Sequence, residues 1–78
     1  MNDKMTLIQY AIDKYEKEEE LVEKLKNILS EKDVQRNLDT LIGTQRVHRI
    51  GPEILQNNKS HTELPNLPEH LKPLLEKI

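Results

Sequence analysis

The chain has 78 residues, 35% of them hydrophobic and 33% charged, with a formal net charge of −2. That length excludes more than one small domain and sits near the size where a single core becomes marginal. There is no cysteine, and Tyr10 and Tyr15 are the only aromatic residues, so a disulfide frame and a thiolate metal site are both excluded.

The first segment runs from about Lys4 to Ser30. Ile8, Tyr15, Val22 and Leu29 fall seven apart, with Leu7, Ala11, Leu21, Leu25 and Ile28 on or beside the same line. No Gly or Pro interrupts the stretch, so the spacing predicts one long helix with a heptad-like stripe. The run Glu16–Glu20, "EKEEE", reads as a solvated face in its middle. A single short partner helix leaves part of the stripe uncovered. Ile8, Tyr15, Val22, Leu25 and Leu29 are therefore candidate self-association residues, most simply of a homodimer.

The second segment runs from Asp33 to Ile50. Ser30 and Asp33 carry side chains that can cap a helix start. Val34, Leu38, Leu41 and Ile42 then recur at helical spacing. Gly43 weakens such a helix by about 1 kcal/mol relative to Ala or ends it. Val47 and Ile50, three apart, favour continuation as far as the break at Gly51–Pro52. From Asp33 to Ile50 three Arg stand against two Asp, while the first 32 residues carry a charge of −2. Arg46, His48 and Arg49 form the one local cationic excess and are candidate contacts for an anionic partner.

Within this helix, "QRNLDTLI" (Gln35 to Ile42) resembles the short signature of the helical-hairpin phosphatases that act on sporulation response regulators. Leu38, Asp39, Leu41 and Ile42 match that pattern. Gln35, Arg36 and Asn37 stand where the family has Ser, Gln and Glu. The resemblance covers eight residues and implies a helical hairpin with phosphatase activity.

The third segment, from Gly51, begins with a short turn and the polar stretch Gln56–Thr62. It ends in "LPNLPEHLKPLLEKI", where Leu64, Leu67, Leu71, Leu74, Leu75 and Ile78 keep near-helical spacing among three prolines. Pro68 suits a first helical turn, whereas Pro73 kinks or splits a helix. Those six residues are the candidate partner-binding set, with docking on the chain's own helices as the competing reading.

The expected architecture is all-α: a helical hairpin over residues 1–50 and a proline-rich, partly helical arm over 51–78. His48, His61 and His70 have no ligand spacing, and no nucleophile has an evident base, so no catalytic, cofactor or metal site is expected. No apolar run exceeds three residues, which implies a soluble cytoplasmic protein without a secretory signal or membrane span. The expected function is that of a small non-enzymatic regulator, inhibitor or adaptor binding a larger protein. The alternatives are a nucleic-acid accessory protein using Arg46, His48 and Arg49, against which the net charge argues, and the phosphatase.

Overall fold

A computed structural model describes residues 3–58, 64 and 66–78. Its elements are α1 (Asp3–Lys14), α2 (Glu18–Leu25), α3 (Glu31–Gly43), β1 (Val47–Gly51), β2 (Ile54–Asn57), the 3₁₀ turn Glu69–Leu71 and α4 (Lys72–Glu76). The all-α expectation is wrong. The chain is mixed α/β, with four helices and a two-stranded antiparallel sheet among the described residues.

The first correction concerns the long helix, which breaks after Lys14 although no Gly or Pro forces it. Lys17 is extended, at φ −74° and ψ 124°. The backbone there pairs with β2 instead: Glu18 N–H donates to the Glu53 carbonyl at 2.7 Å and Leu55 N–H to that of Glu16 at 2.9 Å. "EKEEE" is thus a boundary, with Glu18, Glu19 and Glu20 in the first turn of α2 facing the positive end of its dipole. The heptad line folds back on itself. Ile8 and Leu25 are buried in one core, and Tyr15, Val22 and Leu29 pack against it, half-buried.

The second correction concerns the region after Gly43. Ser30 caps α3 by accepting the Asp33 N–H at 3.1 Å. The far end closes where Gln45 takes a left-handed φ of 64°. Gln45 N–H then donates to Ile42 O and Arg46 N–H to Leu41 O. That paired bonding satisfies the last carbonyls and turns the chain out of the helix. Val47–Gly51 therefore becomes a strand, pairing Val47 with Asn57, His48 with Gln56 and Arg49 with Leu55. The pairing shifts register beside the Gly51–Pro52 turn. On its other side β2 meets the Glu16–Glu18 segment in an isolated antiparallel bridge, Lys17 opposite Ile54.

Leu21, Leu25, Val34, Leu38, Leu41, Val47 and Leu55 join Ile8 and Ile12 in the core, each at most 1% exposed. The C-terminal arm lies on α1. Leu71 and Ile78 are buried, Leu75 packs against the core, and Lys14 Nζ donates to the Ile78 carbonyl. His70 Nε2 meets Asp3 Oδ2 at 2.8 Å. Among the described residues, no helix is long and apolar enough to cross a membrane.

Two measurements check this packing. Burying a leucine or isoleucine contributes roughly 1.5–3 kcal/mol, so removing residues 69–78 should cost at least ~3 kcal/mol in chemical denaturation and raise dye binding. Unchanged stability would show that the arm is not part of the core. Ser30→Ala removes the α3 cap and should cost about 1 kcal/mol; a neutral result would mean that water replaces the hydroxyl.

Candidate functional site

α3 divides cleanly into two faces. Val34, Asn37, Leu38 and Leu41 are buried, and Asn37 Nδ2 donates to the Asp33 carbonyl at 2.8 Å. Lys32, Gln35, Arg36, Asp39 and Thr40 are exposed on the other side. Arg36 and Gln35 present planar donor groups, and Thr40 Oγ1 is turned back to the Arg36 carbonyl at 3.0 Å. This face of α3 is polar and open to solvent.

The start of α3 is held electrostatically. Lys4 Nζ reaches Asp33 Oδ2 at 2.8 Å, and this hydrogen bond holds the Asp33 carboxyl below the usual carboxylate range, with Ser30 and Arg36 contributing. Because the folded pKa is depressed, the stabilisation is present above the unfolded value and disappears as pH falls through the folded one.

The hairpin stands beside this helix. Arg49, in β1, makes two bonds to the Glu18 carboxylate: Nη1 to Oε2 at 2.6 Å and Nη2 to Oε1 at 3.0 Å. Glu18 raises the Arg49 pKa mainly through these bonds, and the nearby Asp39 of α3 adds to the shift. The arginine thus joins the first turn of α2 to the middle of β1. Arg46 precedes the strand and donates to Thr44 Oγ1 at 3.1 Å.

Arg46, His48 and Arg49 do not form one cluster. Successive strand residues alternate in direction. Arg49 turns to Glu18, while His48 lines an open cleft with Ile12, Asp13, Glu16 and Asn57. Of the six arm residues, Leu71 and Ile78 are buried and Leu64, Leu67, Leu74 and Leu75 half-buried. Leu71, Leu75 and Ile78 are thus engaged within the chain. His61 and Pro65 lie outside the described residues.

Sequence reasoning missed two exposed groups. Gln35 and Arg36 appeared only as mismatches to a phosphatase signature. Ile50, 56% exposed, and Ile54, 36%, form an apolar hairpin tip that was read as helix and turn. The signal was available in β-branched residues flanking Gly-Pro. Among the described residues, no three His, Cys, Asp or Glu side chains are placed to hold a metal ion.

The chain shows no significant match to a family model, a curated protein or a solved structure.

Glu18→Gln should leave the fold intact and lower stability by less than ~1 kcal/mol, because both partners are partly solvated. Urea denaturation measures this. A larger loss would make the pair a main support of the hairpin.

Proposed function

We propose that this chain is a small non-enzymatic regulatory or accessory protein that binds duplex nucleic acid, with α3 in the major groove and the hairpin against the adjoining backbone. The observation that carries the reading is the exposed Lys32/Gln35/Arg36/Thr40 face of α3, flanked by a hairpin bearing Arg49 with Arg46 just before it. α2, a short connection and α3 run in the order of a helix-turn-helix, whose second helix reads bases in the proteins that use it for recognition, and the hairpin follows α3 in the position of a wing. Arg pairs with guanine and Gln with adenine in the major groove. On this reading the protein acts in the cytoplasm.

Charge sets the strength. The net −2 sits in the first thirty residues, while residues 31–58 carry four acids and four bases. One of those acids, Asp33, is paired with Lys4. A surface offering at most four cations gives modest, salt-sensitive affinity, with a slope of log K on log salt of roughly −3. The nucleic-acid alternative therefore moves ahead of protein docking through the arm. The phosphatase reading loses its support, because the helical hairpin it implies is not the fold.

The exposed tip at Ile50 and Ile54 favours a second reading, docking on a partner protein. Lysine- and arginine-driven binding separates the two. Selection from a randomised duplex pool, followed by anisotropy titration across salt, should yield binding that weakens as salt rises. Arg36→Ala should reduce the slope by about 1 and relax one base preference. Glu18→Gln, which releases Arg49, should tighten binding to every duplex. Absence of any salt-dependent binding would leave the hairpin tip as the functional surface.

A further inference from the structure

Among the described residues Ile50 and Ile54, 56% and 36% exposed, are the large hydrophobic side chains left open to solvent. Both stand at the hairpin tip, on either side of the turn Gly51–Pro52–Glu53. Ile54 Cβ lies 3.7 Å from where a Cβ on Gly51 would stand, so this isoleucine covers the glycine next to Ile50. Pro52 has a fixed φ, so the pair is presented on a stiff turn and docking orders little further chain. Covering the two side chains is favourable in proportion to the apolar area removed from water.

The surroundings of the tip are acidic. Lys17 stands opposite Ile54 in the antiparallel bridge between the α1–α2 connection and β2. A cleft of about 340 Å³ lies beside it, lined by Lys17, Glu19, Glu20, Glu23, Lys24 and Glu53. Its cations are outnumbered, and Lys24 is drawn over the Tyr15 ring at 5.9 Å from the centroid. Glu23 pairs loosely with Lys26 at 4.0 Å, whereas Glu19, Glu20 and Glu53 form no ion pair among the described residues. Carboxylates alone on a helix are an ordinary solvated face. These adjoin an exposed aliphatic pair, and the combination is complementary to an aliphatic group flanked by cations. The same carboxylates repel a phosphate backbone. Alternation along β1 also sends Arg49 to the side opposite Ile50.

We propose that the hairpin tip and the acidic start of α2 form a docking surface for a basic, aliphatic segment of a partner protein. An aliphatic side chain of the partner covers Ile50 and Ile54, and its Lys or Arg side chains enter the cleft between Glu53 and the Glu19–Glu20 turn. The surface is small, so the contact is weak and transient. The proposal rests on the reading of the tip as a protein-docking surface and gives that reading its chemistry. It uses no residue of the exposed α3 face.

The test is a two-dimensional NMR titration of the full chain with the peptide acetyl-Ala-Lys-Leu-Leu-Arg-Lys-Leu-Ala-amide. Saturable shifts are expected at the backbone amides of Ile50, Glu53 and Ile54 and in the first turn of α2, with a Kd below ~1 mM that rises with salt. A peptide with Ser for each Lys and Arg should bind at least ~5-fold more weakly. Ile50→Ser should weaken the basic peptide about 5-fold, and Glu20→Gln with Glu53→Gln about 3-fold. Glu69→Gln with Glu76→Gln makes the same change of charge on the arm and should leave the affinity unchanged. Dispersed spectra confirm that each variant is folded. Equal tip binding by the serine-for-cation peptide, or unchanged affinity in the folded Glu20/Glu53 variant, would keep docking at the tip and overturn the basic partner. Absence of saturable shifts at the tip, unchanged affinity in folded Ile50→Ser, or an equal loss in the arm variant would overturn the docking surface itself. Tip amides that shift when the protein alone is diluted would identify a second copy as the occupant and overturn the proposal as well.

Discussion

The backbone pairing between Glu16–Glu18 and Glu53–Leu55 determines the rest of the architecture. A continuous helix over Lys4–Ser30 would measure about 40 Å at 1.5 Å per residue, against a largest molecular extent of 28 Å. Such a helix would hold Leu21 and Leu25 away from Ile8 and Ile12. Breaking it forfeits a few intrahelical bonds, each worth about 1 kcal/mol net. Two of the freed backbone groups recover partners in β2. Burying Leu21 and Leu25 adds roughly 1.5–3 kcal/mol apiece, so the broken, folded-back form prevails.

The amphipathic stripes were legible because helical periodicity survives the break. Ile8, Ala11 and Leu25 on one side, and Val34, Leu38 and Leu41 on the other, are the residues that bury. The break was hidden since its cause lies some forty residues away, in β2. Local sequence at Glu16–Glu20 contains only good helix formers and solvated charge. Beyond Gly43, Val47 and Ile50 are three apart, a spacing too short to separate helix from strand. The left-handed turn at Gln45 decides that question, and a glutamine gives no warning of it.

The surface proposed to function was legible in part for a related reason. Arg46, His48 and Arg49 were visible as a cationic cluster, yet a cluster in sequence is not one in space along a strand. Alternation sends Arg49 to Glu18 and His48 into the cleft. Arg36 drew no notice because an exposed helical arginine is ordinary until a second element flanks it. The hairpin supplies that flank, and it could not be anticipated while residues 47–50 were read as helix.

The hairpin's attachment explains how its two faces can serve different chemistry. Apolar contact comes from Val47 and Leu55, each at most 1% exposed. Polar groups fix the rest. Arg49 fastens β1 to α2 through Glu18, and Asn57 fastens β2 to α1 through Gln9 and Asp13. Apolar burial is insensitive to small changes in ligand or charge, whereas these polar ties share atoms with the surfaces open to ligands. Arg49 bonded to Glu18 is less available to a phosphate, and Asp13 serves both Asn57 and the cleft. These polar ties fix the hairpin relative to α2 and α1. With Val47 and Leu55 fully buried, apolar contact holds the hairpin to the core, and the partly solvated Arg49–Glu18 pair fixes its orientation more than its stability.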